Sequence, residues 1–178
     1  SYLLDRQQAG FDKALERYQH FKNQPLTFHF PDNFTGKKPV IASDNRIKAA
    51  IIREKGSNSE REMANAMHLA GFEVIDIHMT DLISGRADLS DIRFIGAVGG
   101  FSNSDVLGSA KGWAGSFKYN EKAQKALDNF FARPDTLSIG ICNGCQLFME
   151  LELIYPGHDV KPKMHFNDSH KYECQFTS

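Results

Sequence analysis

The heptapeptide Gly140-Ile141-Cys142-Asn143-Gly144-Cys145-Gln146 places a thiol between two glycines. It follows an apolar run, Leu137-Ser138-Ile139-Gly140-Ile141, and precedes residues 146–153, whose pattern predicts a helix. This is the layout of a nucleophile elbow. The glycines permit a sharp backbone and close packing, and Cys142 stands at the apex. There the free amides and dipole of the following helix favour the thiolate, the form that attacks. A second cluster, Gly99-Gly100-Phe101-Ser102-Asn103-Ser104-Asp105, ends another apolar run, Phe94-Ile95-Gly96-Ala97-Val98. A glycine pair at such a point lets backbone N–H groups face a site. The amide of Gly100, joined by that of Asn143 next to the nucleophile, would form an oxyanion hole. The two clusters together suggest acyl chemistry, with Cys142 attacking a carbonyl while these amides hold the developing charge.

Each feature also has a plainer reading: a small buried cysteine, and a turn glycine pair. Cys142 and Cys145 make a CxxC between strand and helix, as in a thiol–disulfide oxidoreductase. Its position after three strand–helix units, rather than at the opening of a small domain, argues against that reading. A zinc set of Cys142, Cys145 and Cys174 with one of His158, His165 or His170 lacks regular spacing, so no metal site is expected. A non-catalytic flavodoxin-like binding module, with Cys142 structural, is a further alternative. Residues 54–62 read either as a ligand contact at a helix N-terminus or as a charged capping segment. Trp113 reads as a recognition anchor or as loop packing.

These clusters need elements to position them. Apolar spacing predicts an amphipathic helix over residues 3–21. A linker follows over 23–45, punctuated by Pro25, Pro31 and Pro39, and apolar enough at Leu26, Phe28, Phe30 and Phe34 to pack. Strands are then expected at 47–52, 72–77, 94–98 and 137–141. Helices are expected at 60–70 and 120–131, with Ser59 and Glu62 as a capping box and Gly71 as the stop. Strands alternating with helices indicate an α/β fold, a doubly wound parallel sheet covered on both faces. The chemistry should lie at the carboxyl ends of its strands, in the loops after Ile52, Val98 and Ile141. The boundary falls at 45/46: helix and linker over 1–45, the α/β domain over 46–178.

Composition narrows the class. Lys and Arg number 21 against 22 Asp and Glu over 178 residues, a net charge of −1 with the signs interspersed, which argues against nucleic acid as a partner. The longest charge-free apolar-leaning stretch, 136–149, contains Asn143 and Gln146 and is too short to span a bilayer, so no membrane partner is expected. Three cysteines make no disulfide framework and suggest a reducing, cytoplasmic setting. The N-terminus lacks an initiator Met and reads as an internal cut.

GICNGCQ, GGFSNSD and the opening IIREKGSNSEREMANAMHLAGFEV together resemble the glutamine amidotransferase domain of the large, single-chain phosphoribosylformylglycinamidine synthases. The similarity runs over about residues 48–173. The resemblance implies a flavodoxin-like, class I amidotransferase fold. It also implies hydrolysis of L-glutamine through a cysteinyl thioester. The ammonia would pass to the synthetase domain of the same parent chain, where formylglycinamide ribonucleotide becomes formylglycinamidine ribonucleotide in purine biosynthesis. The amidotransferase domain would need no cofactor, ATP and Mg2+ belonging to the parent enzyme. Carried onto this chain, the pattern GxCxGxQ puts the nucleophile on Cys142, not Cys145. Gln146 and Phe101 would line the glutamine pocket and Gly100 would be the oxyanion glycine. Asn167 and Ser169, in Asn167-Asp168-Ser169-His170-Lys171-Tyr172-Glu173, would contribute around the pocket. The chain departs from the pattern twice. Asn103-Ser104 replace the usual Tyr-Gly, and the His-x-Glu carrying the catalytic His and Glu is absent. The expectation is therefore a fragment holding the nucleophile without those partners, inactive or weakly active alone, and prone to self-association along a stripped sheet edge.

Overall fold

The computed structural model describes residues 2–20, 27, 29–32, 34–37 and 45–173. In chain order the elements are α1 (Tyr2–His20), β1 (Lys48–Arg53), β2 (Ser57–Asn58), α2 (Glu60–Ala70), β3 (Glu73–His78), α3 (Met79–Ser84) and β4 (Phe94–Ala97). Then come β5 (Gly99–Gly100), a 3-10 turn (Ser102–Asp105), α4 (Lys111–Lys118), α5 (Glu121–Phe131), β6 (Leu137–Gly140) and α6 (Asn143–Glu150). The chain forms two compact units, residues 1–36 with 165–178, and residues 37–164.

The larger unit is built on β1. Ala49, Ala50, Ile51 and Ile52 are all 2% exposed or less, as a central parallel strand apolar on both faces requires. β1 pairs in parallel with β3 and β4, and β4 with β6, giving the order β3-β1-β4-β6. Counting only these four, the order is second, first, third, fourth, which is the flavodoxin-like doubly wound arrangement. Its switch point lies between β1 and β4, and there β2 and β5 form a separate antiparallel ribbon with Ser57 opposite Gly100 and Asn58 opposite Gly99. Apolar stripes of the helices complete the core: Met67 of α2, Trp113 and Phe117 of α4, Leu127 and Phe130 of α5, Leu147 of α6.

Several sequence expectations change in detail. Ser59 is no capping-box residue: it is left-handed (φ 72), makes no side-chain cap bond, and its own N–H is taken by Asn58 Oδ1 at 2.8 Å. Leaving the β2–β5 ribbon dictates that conformation, and α2 starts on the backbone bond from Met63 N–H to the Ser59 carbonyl, 3.0 Å. Trp113 lies in a helix, α4, and is fully buried; Gly112 and Gly115 mask that helix in the sequence, while Trp113, Ala114 and Phe117 bury one face of it. The short α3 was not anticipated. A reciprocal box holds it, in which the His78 ring accepts from Thr80 N–H and the Asp81 carboxylate accepts from His78 N–H. α6 begins at Asn143 rather than Gln146. β6 is not covered on both faces, since Leu137 is 74% and Ile139 41% exposed.

In the smaller unit, α1 brings Gly10 so close to the Ser169 carbonyl that a Cβ there would lie 2.6 Å from its oxygen. The rings of Phe30 and Phe34 stack at 4.8 Å. Leu26, Phe28, Pro25 and Pro39 of the expected linker, and Cys174, lie outside the described residues.

Candidate active site

β6 delivers the chain to Cys142 at its carboxyl end. The Ile141 N–H still donates to the Ala97 carbonyl of β4 at 3.0 Å, and α6 opens at once, with Gly144 N–H donating to Ile141 at 2.9 Å and Gln146 N–H to Cys142 at 3.1 Å. Between them Cys142 is forced to φ 53, ψ −111, a conformation costly for a residue with a Cβ. The first turn of α6 presses on β4 so tightly that a Cβ on Gly144 would collide with the Ala97 carbonyl oxygen. That contact explains the glycine after the elbow. Cys142 itself is exposed.

The glycine pair stands beside it. A Cβ on Gly99 would lie 3.2 Å from Cys142 Cβ and 3.9 Å from its Sγ. Gly100 has φ 101, and a Cβ there would lie 2.6 Å from the Asn58 nitrogen, so both its backbone angle and its closeness to β2 demand glycine. The loop that follows is anchored on the elbow. Ser102 N–H and Ser102 Oγ–H both donate to Asn143 Oδ1, at 3.2 and 2.6 Å, and Asn143 Nδ2 donates to Gln146 Oε1 at 2.9 Å. Ser102 and Asn143 are each 1% exposed, so these bonds satisfy groups that water does not reach. Phe101 projects outward, 71% exposed, while its N–H donates to the Gly56 carbonyl at 2.9 Å. Asn103 and Ser104, which replace Tyr-Gly, are left-handed at φ 52 and 58, and Asp105 at φ 49. The turn is thus made by residues that carry a Cβ. Asp105 helps hold it by accepting from Ala110 N–H at 3.0 Å.

The structure brings together Cys142, Asn143, Gln146, Gly100 and the Phe101 backbone. Asn167 and Ser169 belong to the smaller unit. There Asn167 is exposed and donates to the Lys171 carbonyl at 2.8 Å, while buried Ser169 donates to Glu173. The two CxxC thiols face different surroundings. Cys145, half-buried, lines a 370 Å³ cavity with Ile139, Gly140, Phe148 and Leu153 beside β6, whereas Cys142 lies against Gly99. A histidine–carboxylate pair does form, His78 Nε2 lying 3.9 Å from Glu54 Oε1. It sits at the ends of β3 and β1, with β4 standing between β1 and the strand that carries Cys142. Sequence reading did not find the link between Ser102 and Asn143, nor the burial of Glu54. For the latter the available signal was its place directly after the most buried strand.

Among the described residues no group of three or more His, Cys, Asp or Glu is placed to hold a metal ion, and no helix is long and apolar enough to cross a membrane.

A flavodoxin-like sheet carrying a cysteine elbow against a glycine ribbon is the arrangement expected of a class I glutamine amidotransferase. The chain belongs to the CobB/CobQ-like glutamine amidotransferase domain family, which matches residues 46–178. Among solved structures it is similar to that of PurLQS from Thermotoga maritima, at 26% identity and a TM-score of 0.48, over 60% of this chain. The chain spans 45% of that structure's matched chain.

Proposed function

We propose that Cys142 is the nucleophile of a glutaminase whose ammonia feeds a synthetase site in a larger enzyme. The Cys142 thiolate attacks the glutamine carboxamide carbon, and the amides of Gly100 and Asn143 hold the negative charge of the tetrahedral intermediate. The nitrogen takes up a proton from solvent, the C–N bond breaks and ammonia leaves; water then cleaves the thioester, releasing glutamate and restoring the thiolate. Gln146 and Phe101 bind the substrate beside the elbow. The observation that carries this reading is the strained backbone of Cys142, pressed against Gly99 and tied through Asn143 to Ser102.

The synthetase reaction is the conversion of formylglycinamide ribonucleotide to formylglycinamidine ribonucleotide, in the cytoplasm. GICNGCQ, GGFSNSD and the β1–α2 segment support it through their resemblance to that family. The ATP and Mg2+ of that step belong to the synthetase part of the parent enzyme, and no step here passes through them.

A diazoketone analogue of glutamine tests the glutaminase reading. The expected result is an adduct on Cys142, located by peptide mass spectrometry and suppressed by excess glutamine. An adduct on Cys145 instead, or equal labelling of every cysteine, overturns it. Cys145→Ser should leave the Cys142 adduct unchanged; its loss would favour the thiol–disulfide reading.

A further inference from the structure

Glu54 closes β1 at the switch point, and its side chain is only 10% exposed although its neighbour Lys55 lies on the surface. A carboxylate so far out of water needs partners. Here Oε1 accepts from the Lys55 N–H at 2.7 Å, Oε2 accepts from Ser116 Oγ–H of α4 at 3.4 Å, and His78 Nε2 stands 3.9 Å from Oε1. The backbone of Glu54 is equally engaged. Its carbonyl accepts from Ser57 N–H at 3.0 Å and Ser57 Oγ–H at 2.7 Å, and its N–H donates to Ser57 Oγ at 3.2 Å. Glu54 thus fixes residues 54–57 to α4 and to the start of α3.

That segment is the template on which the glycine loop is laid. Lys55 accepts from Asn103 N–H at 2.7 Å, Gly56 accepts from Phe101 N–H at 2.9 Å, and Ser57 pairs with Gly100. Three residues of the loop beside Cys142, namely Gly100, Phe101 and Asn103, thus rest on the segment that Glu54 holds. We propose that Glu54 is a positioning residue for glutamine hydrolysis. By holding residues 55–57 it sets where the Gly100 amide and the Phe101 backbone stand relative to the Cys142 sulfur, without touching substrate itself. The inference rests on the proposed glutaminase reading and names a residue of that same site.

The full-length protein provides the test. The rate of Cys142 alkylation by the diazoketone at saturating reagent is measured together with KM and kcat for glutamine hydrolysis. Glu54→Ala removes the carboxylate's contacts to Lys55, Ser116 and His78 and should slow alkylation and kcat by about 10- to 100-fold, the scale of a displacement of roughly 1 Å at a reacting centre. Glu54→Gln keeps an acceptor for Lys55 N–H and offers an N–H to the Ser116 oxygen, and should recover alkylation to within about threefold of wild type. Ser116→Ala, which loses only the contact to α4, should fall between and supplies the test if Glu54→Ala does not fold. Alkylation at the wild-type rate in folded Glu54→Ala or Ser116→Ala would overturn the proposal. So would losses in Glu54→Ala and Glu54→Gln that follow only the folded fraction measured by thermal unfolding. If wild-type Cys142 is not alkylated at all, the glutaminase reading itself fails and the proposal with it.

Discussion

Asn143 shows how much a single side chain carries. Its backbone amide is proposed for the oxyanion hole, but its carboxamide is what joins the elbow to the glycine loop, accepting twice from Ser102 and donating to Gln146. With both Asn143 and Ser102 at 1% exposure, truncation leaves buried donors without an acceptor. Asn143→Ala should therefore cost about 1–3 kcal/mol in denaturant unfolding. It should also slow alkylation of Cys142, because the loop is no longer held at the elbow. Unchanged stability would mean that water reaches Ser102 when the carboxamide is gone. The sequence made Cys142 and its flanking glycines visible, since a thiol between glycines after an apolar run is a local pattern. It gave no indication that Asn143 would work through its side chain, because its partner lies 41 residues away.

At the scale of elements, the sheet divides into a shielded centre and an open edge. β1 is buried along its middle, whereas Leu137 and Ile139 of β6 face outward. Amide hydrogen exchange should accordingly be slowest in β1 and β4 and faster in β6, read by mass spectrometry of peptides from each strand. α3 makes a prediction about pH. Arg86 beside Asp81, aided by the His78 N–H, holds the Asp81 carboxyl below its ordinary value of 3.8. The unfolded chain thus binds this proton first as pH falls. The contribution of the group is complete above 3.8 and is lost as the pH drops from there through the depressed folded value. Asp81→Asn should lower the melting temperature near neutral pH, and the gap from wild type should close below pH 3.8. A gap that is constant with pH would mean that the charge of Asp81 does not hold α3.

For the whole molecule, the sheet and its helices are confined to the unit over residues 37–164, and the chain leaves α6 into an exposed stretch. Lys163 is exposed, and Phe166 is 93% exposed. Brief proteolysis should cut at Lys163 with trypsin and at Phe166 with chymotrypsin before any bond within β1 or β4 is broken, as peptide mapping of the first products would show. Early cleavage within the strands would contradict the burial described for them.

The α/β class, the order of the main strands and helices, and the elbow at Cys142 were determined by the sequence alone. All three rest on short-range regularities: apolar runs of strand length, helical periodicity, and glycines where the backbone must turn. The tertiary structure decided the rest. β2 and β5, at two residues each, are too short to leave a period and exist only because each finds the other. Trp113 became core through packing that its neighbouring glycines do not advertise. Glu54 reads as one charge in a charged segment until α4 and α3 close over it. Burial of a polar group is a property of its partners, and these partners come from distant parts of the chain.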